Sequence, residues 1–252
     1  MASAPRTRLD VRLVSEGLVA SRERARALIL AGRVTVGGVI VSKAGTSVPA
    51  DAPVAVVEPD FPWVGRGGVK LAHALDCFRI DVTDREALDI GASTGGFTDV
   101  LLQRGARRVV ALDVGHGQLD WRLREDPRVV VLEHRNARQL ERGWLPAPAE
   151  VVTIDVSFIS LRLILPALPP VLAPGADIVA LVKPQFEAGR DEVGRGGLVK
   201  DPAVHEAVLA RVTESAASCG LIRVAMTPSP ITGATGNQEF LVHLRPGSSL
   251  IT

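Results

Sequence analysis

The sequence is poor in the groups that most sharply bias a function. Its 252 residues include two cysteines, six phenylalanines, three tryptophans and no tyrosine. Cys77 and Cys219 build no disulfide framework and have no metal-ligand spacing, so a reduced, cytoplasmic setting is expected. The histidines (His73, His116, His134, His205, His243) are not paired at ligand spacing either, and no metal is expected. With few rings there is little to build a stacking platform for single-stranded bases. No apolar run approaches the roughly 20 residues that span a bilayer, and MASAPRTRLD at the start lacks the apolar core of a signal peptide. Net charge is nearly absent too: 29 basic residues face 28 acidic ones, for +1. Taken as a total, that balance argues against a nucleic-acid partner, which usually requires a basic surface. Hydrophobic residues make up 46%, which excludes a disordered chain and suffices for one large domain or a small module joined to a medium one.

The distribution of charge reverses that first inference. The first 50 residues carry +5 and the remainder −4. Within this basic stretch Leu9, Leu13, Val14 and Leu18 fall at helical spacing. Ser21 is placed to cap a second helix holding Ala25, Leu28 and Ile29, which Gly32 closes. RVTV and VIVS then flank Gly37-Gly38, the pattern of two short strands around a tight turn. Arg22 and Arg26 share a helix face near Arg33. A helix–helix–hairpin with such a face resembles the S4 RNA-binding domain, which recognises folded RNA by shape and phosphates and needs no stacked rings. The candidate RNA contacts are Arg6, Arg8, Arg22, Arg26 and Arg33, with Arg66 beyond the module. Residues 1–59 are assigned to this domain and 60–66 to a linker, in which Trp63 is expected to pack one module on the other.

From Ala87 onward, apolar strand-like runs (ALDIG, VVALDV, RVVVLEH, VVTIDVSF, DIVALVKP) alternate with helical segments such as FTDVLLQRG and LRLILPALPPVL. That alternation predicts an α/β domain over residues 67–252, with a doubly wound, mostly parallel sheet. Its last two strands, LIRVAMTPSPI and QEFLVHLRP, have no helix between them and are expected to form an antiparallel hairpin at the edge. The Gly- and charge-rich stretch from Glu187 to Lys200 is expected to be a mobile loop over the RNA site.

The segment DIGASTGGFTDVLLQRG (89–105) runs from strand through a glycine-rich turn into a helix, the arrangement that binds ligands at the carboxyl edge of an open sheet. Asp113 ends the next strand and is placed to bind a ribose diol. A dinucleotide fingerprint requires glycine where Ser93 stands, so pyrophosphate is disfavoured and S-adenosylmethionine fits better. The candidate cofactor residues are Asp89, Gly91, Ala92, Ser93, Thr94, Gly95, Gly96, Phe97 and Asp113. Asn136 is added as a contact for the adenine end, a turn-forming role being the alternative.

Four further polar residues stand out. Asp155 and Lys183 each follow an apolar parallel strand and should reach the ligand edge. Glu239 lies where the edge hairpin begins, and Lys70 starts the helix before the first sheet strand. GRGGVKL, DIGASTGGFTD, IDVSFISL, LVKPQFEAGR, VGRGGLVKD and SPITGATGNQEFL, following an S4-like segment, together resemble the TlyA family of ribosomal RNA 2′-O-methyltransferases, whose catalytic domain is FtsJ-like. The resemblance implies a Lys–Asp–Lys–Glu tetrad around the target hydroxyl, formed here by Lys70, Asp155, Lys183 and Glu239. It also implies S-adenosylmethionine as cofactor, ribosomal RNA or ribosomal subunits as partner, and cytidine as target. One departure is Gly65, where the family pattern has serine. A lysine base must lose its proton more readily than free lysine, which desolvation and a neighbouring cation favour. Lys183 is the expected base, with Asp155 and Glu239 orienting the amines and hydroxyl. Two competing readings are a non-catalytic RNA-binding or ribosome-assembly factor and a cytolysin; the second lacks any spanning or strongly amphipathic segment. No membrane partner and a monomer are expected.

Overall fold

The computed structural model describes residues 5–57 and 61–247. Residues 1–4, and the proposed domain boundary between 59 and 60, lie outside the described residues. The N-terminal module contains β1 (Arg6–Arg8), α1 (Leu9–Ser15), α2 (Arg22–Leu30), β2 (Val34–Val36), β3 (Val39–Ile40), β4 (Ser47–Pro49) and β5 (Val54–Val56). β1 pairs with β4, while β2 lies between β3 and β5. Ser21 caps α2 by accepting from the Arg24 N–H at 3.1 Å. Gly37 and Gly38 both have positive φ, as the two-residue hairpin turn requires. Leu9, Leu13, Leu28 and Ile29 form the buried centre. Leu18 does not continue α1: the chain turns at Gly17, φ +70°, and Leu18 is exposed.

The second module opens with α3 (Gly67–Phe78) and continues with β6 (Glu86–Ile90), α4 (Gly96–Gln103), β7 (Arg108–Leu112), α5 (Trp121–Arg124), β8 (Val129–Leu132), β9 (Ala149–Ile154), β10 (Leu172–Val182), α6 (Pro184–Glu187), α7 (Pro202–Ser218), β11 (Leu221–Pro228) and β12 (Phe240–Pro246). The seven strands are ordered β11-β12-β10-β9-β6-β7-β8. β10, β9, β6, β7 and β8 are parallel, and β12 and β11 add two antiparallel pairings at one edge. The central strands read as largely apolar runs because both faces are covered, interrupted in β6 by buried Asp89 and in β9 by buried Thr153. Leu88, Ile90, Val152 and Ile154 belong to one core, and Val109, Val151, Val179 and Leu181 to the other. The order reverses between β6 and β9, which makes the crevice beyond their carboxyl ends the natural ligand site.

The helix expected across LRLILPALPPVL is instead three successive 3₁₀ turns, Leu161–Leu163, Leu165–Ala167 and Pro169–Val171. Pro166, Pro169 and Pro170 have no N–H to give, so a continuous α-helical ladder cannot form there. Trp63, expected to pack one module on the other, packs against Gly68 and the core of the second module. At the opposite edge of the sheet Asp177 accepts from Arg85, His243 and Arg245, and together they hold its carboxyl well below the usual range despite burial. Among the described residues, no helix is long and apolar enough to cross a membrane.

Candidate active site

β6 delivers Asp89 into the sheet rather than to the ligand edge. Its side chain is fully buried and accepts from Thr98 Oγ1 at 2.7 Å and Thr153 Oγ1 at 2.9 Å. Burial pushes its carboxyl up to about 7 against the pull of those two hydroxyls. Asp89 thus ties the glycine turn to β9 and α4. The folded protein holds this proton more tightly than the unfolded chain, so the contribution of Asp89 to stability is greatest in acid and is lost as pH rises through about 7. Melting of wild type and D89N without ligand should therefore diverge with pH. The variant is expected to gain about 1–3 kcal/mol relative to wild type from mildly acid to mildly alkaline solution; parallel profiles would refute the assignment.

The turn itself is tightly built. Gly91 has φ +84°, and a Cβ there would lie 2.5 Å from the backbone oxygen of Asp155. The Asp155 N–H in turn donates to the Ile90 carbonyl at 2.9 Å, so the glycine turn and the segment after β9 share one wall. Ser93 is also left-handed, and its N–H donates to Asp113 Oδ2 at 2.8 Å, while Gly115 N–H donates to Oδ1 at 2.7 Å. Asp113 is thereby locked at the end of β7 as an acceptor. Gly95 at φ +96° leads directly into α4, whose first residue, Gly96, lines the site with Gly91, Ala92, Ser93, Thr94 and Phe97. Gly65 also has a local reason. A Cβ would come 2.8 Å from Thr94 Oγ1, so serine here would require the buried Thr94 to move.

Four chain segments bring the charged residues together. Lys70 comes from α3, Asp155 follows β9, Lys183 follows β10 and Glu239 precedes β12. Lys183 Nζ lies 2.6 Å from Asp155 Oδ1 and donates to Ser157 Oγ at 2.9 Å. Lys70 Nζ donates to Glu239 Oε2 at 2.5 Å. Lys70, Lys183 and Glu239 are buried. Burial alone would raise the Asp155 carboxyl, but Lys183, Lys70 and Arg66 hold it below its ordinary value. Each lysine therefore has its own carboxylate, a pairing that spacing along the chain could not show.

All four line a cavity of about 570 Å³ that also takes walls from the N-terminal module: Leu30, Ser42, Lys43 and Ala44. Arg66 spans the same junction, lying against Gly32 and donating to the Thr232 carbonyl at 2.8 Å. Arg24 and Asp120 form a second bridge at 3.7 Å. Two of the few aromatic rings meet at the rim. Phe158, 91% exposed and left-handed, lies 5.2 Å from Phe186. With Phe97, three of the six phenylalanines line the cavity. The signal of Phe158 and Phe186 in the sequence is position: each stands three residues after a charged residue at a strand's carboxyl end.

Other predicted residues are placed elsewhere. Asn136 Oδ1 accepts from the Arg138 N–H at 3.1 Å and caps a 3₁₀ turn, and the residue is not in the cavity wall. Asp89, Gly95 and Asp113 support the wall from behind without lining it. Arg6 reaches the Ser47 carbonyl, Arg33 follows α2, and Arg8, Arg22 and Arg26 converge on Asp10. The stretch from Glu187 to Lys200 is tethered, with Asn237 bonding Gly197 and Val199 at 2.8 Å and Arg211 pairing with Glu192 at 2.9 Å. Val193 and Gly197 from it reach the cavity.

The sheet order, the glycine turn at its reversal point and the acceptor after β7 define a doubly wound methyltransferase domain. Residues 63–246 match the FtsJ-like methyltransferase family and residues 7–54 the S4 domain. A Mycobacterium tuberculosis protein named 16S/23S rRNA (cytidine-2′-O)-methyltransferase TlyA is 48% identical, over 96% of this chain and 91% of its own. A solved structure from Streptococcus thermophilus, described as a candidate hemolysin, is 44% identical with a TM-score of 0.76, covering 98% of this chain and 90% of its own. A Listeria monocytogenes methyltransferase structure shares the fold at 15% identity and a TM-score of 0.54, covering 72% and 99%. The chain belongs to the TlyA family, in which an S4 domain precedes an FtsJ-like methyltransferase domain.

Proposed function

We propose that this protein transfers a methyl group from S-adenosylmethionine to a ribose 2′-hydroxyl of ribosomal RNA, with cytidine as the target nucleotide. One observation carries the reading: four charged side chains from four segments form two ion pairs, one buried and one partly exposed at Asp155, beside the glycine turn, in a cavity that the S4 module helps to wall. The donor set suits the cofactor. Asp113 lies outside the cavity lining but is half-exposed beside the turn, where its remaining lone pairs suit a ribose diol; the turn offers no row of glycines for a pyrophosphate, and Phe97 gives an apolar wall. When bound there, S-adenosylmethionine supplies a methyl group already activated by its sulfonium.

The protein's work is alignment and removal of one proton. Asp155 and Ser157 fix Lys183 Nζ from two directions. Lys183 is the residue placed to take the hydroxyl proton during transfer; to act as a base it would first release its own proton to solvent and leave the ion pair with Asp155 as the free amine. Lys70, held by Glu239, orients the hydroxyl and balances developing charge. The S4 module brings RNA phosphates to the opening.

Tritiated methyl transfer to isolated ribosomal subunits, followed by mass spectrometry of the labelled nucleotide, tests this directly. The expected product is a 2′-O-methylcytidine. Label on a base would overturn the chemistry, and label on another ribose would overturn only the target.

A further inference from the structure

Asp10 is the first-turn acid of α1 and is fully buried, yet every cation around it is half exposed. Arg8 donates to both carboxylate oxygens, Nε and Nη2 each at 2.9 Å. Arg22 and Arg26, one turn apart on α2, donate to Oδ2 at 3.1 and 3.3 Å. The Val11 N–H completes the set at 3.1 Å. The paired arginines, Arg8 foremost, hold the carboxyl far below the ordinary range, so it stays charged.

Balancing one buried carboxylate takes one arginine, and here three converge. Three guanidinium groups gathered at one point repel one another, and only a fixed negative charge between them makes the arrangement favourable. Asp10 offsets one of the three positive charges and leaves the rest concentrated on half-exposed side chains. Each guanidinium carries five N–H donors in a planar fork. Asp10 takes two from Arg8 and one each from Arg22 and Arg26. The remaining donors suit oxygen-rich anions, phosphate among those whose geometry the guanidinium fork matches.

We propose that Asp10 is a positioning residue that organises Arg8, Arg22 and Arg26 into one cluster for the RNA phosphate backbone. The inference rests on the RNA-binding reading above and adds that the acid, not only the bases, is required. It has a distinctive consequence. D10N raises the positive charge of the module, so a merely electrostatic patch would bind RNA more tightly. Loss of the organising carboxylate instead predicts weaker binding.

The test uses the full-length protein and a fluorescently labelled folded RNA hairpin across a salt series. D10N is expected to raise Kd about tenfold and to flatten the slope of log K against log salt by about 1–2. With ribosomal subunits as substrate, KM should rise while kcat holds. Equal or tighter binding by D10N would overturn the proposal. If D10N unfolds the module, seen as a separate early melting transition, the triple variant R8K/R22K/R26K decides. It keeps the charge but loses the fork, and the same weakening is expected, whereas wild-type affinity would overturn the proposal. R22A/R26A separates the two levels. If that variant binds RNA normally, the RNA-docking reading fails; if it binds weakly while D10N binds normally, only the role of Asp10 fails.

Discussion

Replacing Lys183 by alanine is expected to lower methyl transfer by roughly a thousandfold while leaving cofactor affinity within a few-fold of wild type. The lysine is buried, 2.6 Å from Asp155 and 2.9 Å from Ser157, and these contacts aim its amine at the cavity. None of them belongs to the glycine turn, so the binding of S-adenosylmethionine has no direct reason to change. K183R sharpens the test. Arginine keeps the positive charge near Asp155 but cannot give up its proton at any accessible pH, so it can stabilise charge without acting as a base. Single-turnover kinetics should show K183R as inactive as K183A. Activity in K183R above about a tenth of wild type would show that the lysine works by charge alone.

The second large effect comes from a residue with no side chain. G91A must place a methyl 2.5 Å from the Asp155 carbonyl oxygen and 2.9 Å from its carbon, at φ +84°. Both neighbours are backbone at the end of a central strand, so neither can rotate away. The left-handed conformation costs an alanine about 1–2 kcal/mol on its own. Separating the turn from the β9 segment displaces the cofactor loop and Asp155 together. Calorimetry should show S-adenosylmethionine binding weakened by about 100-fold or more, close to 3 kcal/mol. Activity should stay low even at saturating cofactor, because Asp155 carries Lys183 with it. Wild-type affinity in G91A would mean that the two segments are not coupled.

Much of this architecture can be read from the chain because its signals are local. The five parallel strands announce themselves as largely apolar runs, and the glycine turn as a strand leading into a helix. Charged residues placed just after Val182 and Ile154 point to the ligand edge because a parallel sheet has only one such edge. The failures are equally physical. Residues 161–171 have a helical hydrophobic pattern, yet three prolines remove the donors an α-helix needs. Phe158 and Phe186 are too few to register in a composition, and their meeting depends on the segment after β9 folding against α6. Asp10 is the plainest case. In a sum of charges it counts as one unit against the basic module, whereas in the fold it holds three arginines in place. The partners of Lys70 and Lys183 were beyond reach for the same reason: which carboxylate meets which lysine is decided by strand order.

The shared cavity changes what kind of object the catalytic unit is. Because Leu30, Ser42, Lys43 and Ala44 form part of the wall around Lys70 and Lys183, the N-terminal module is more than an address label attached to an engine. It is one jaw of the site. Exchanging it for another RNA-binding module of equal affinity would restore delivery but not the missing wall. Within this fold, substrate choice and catalytic competence are inherited together.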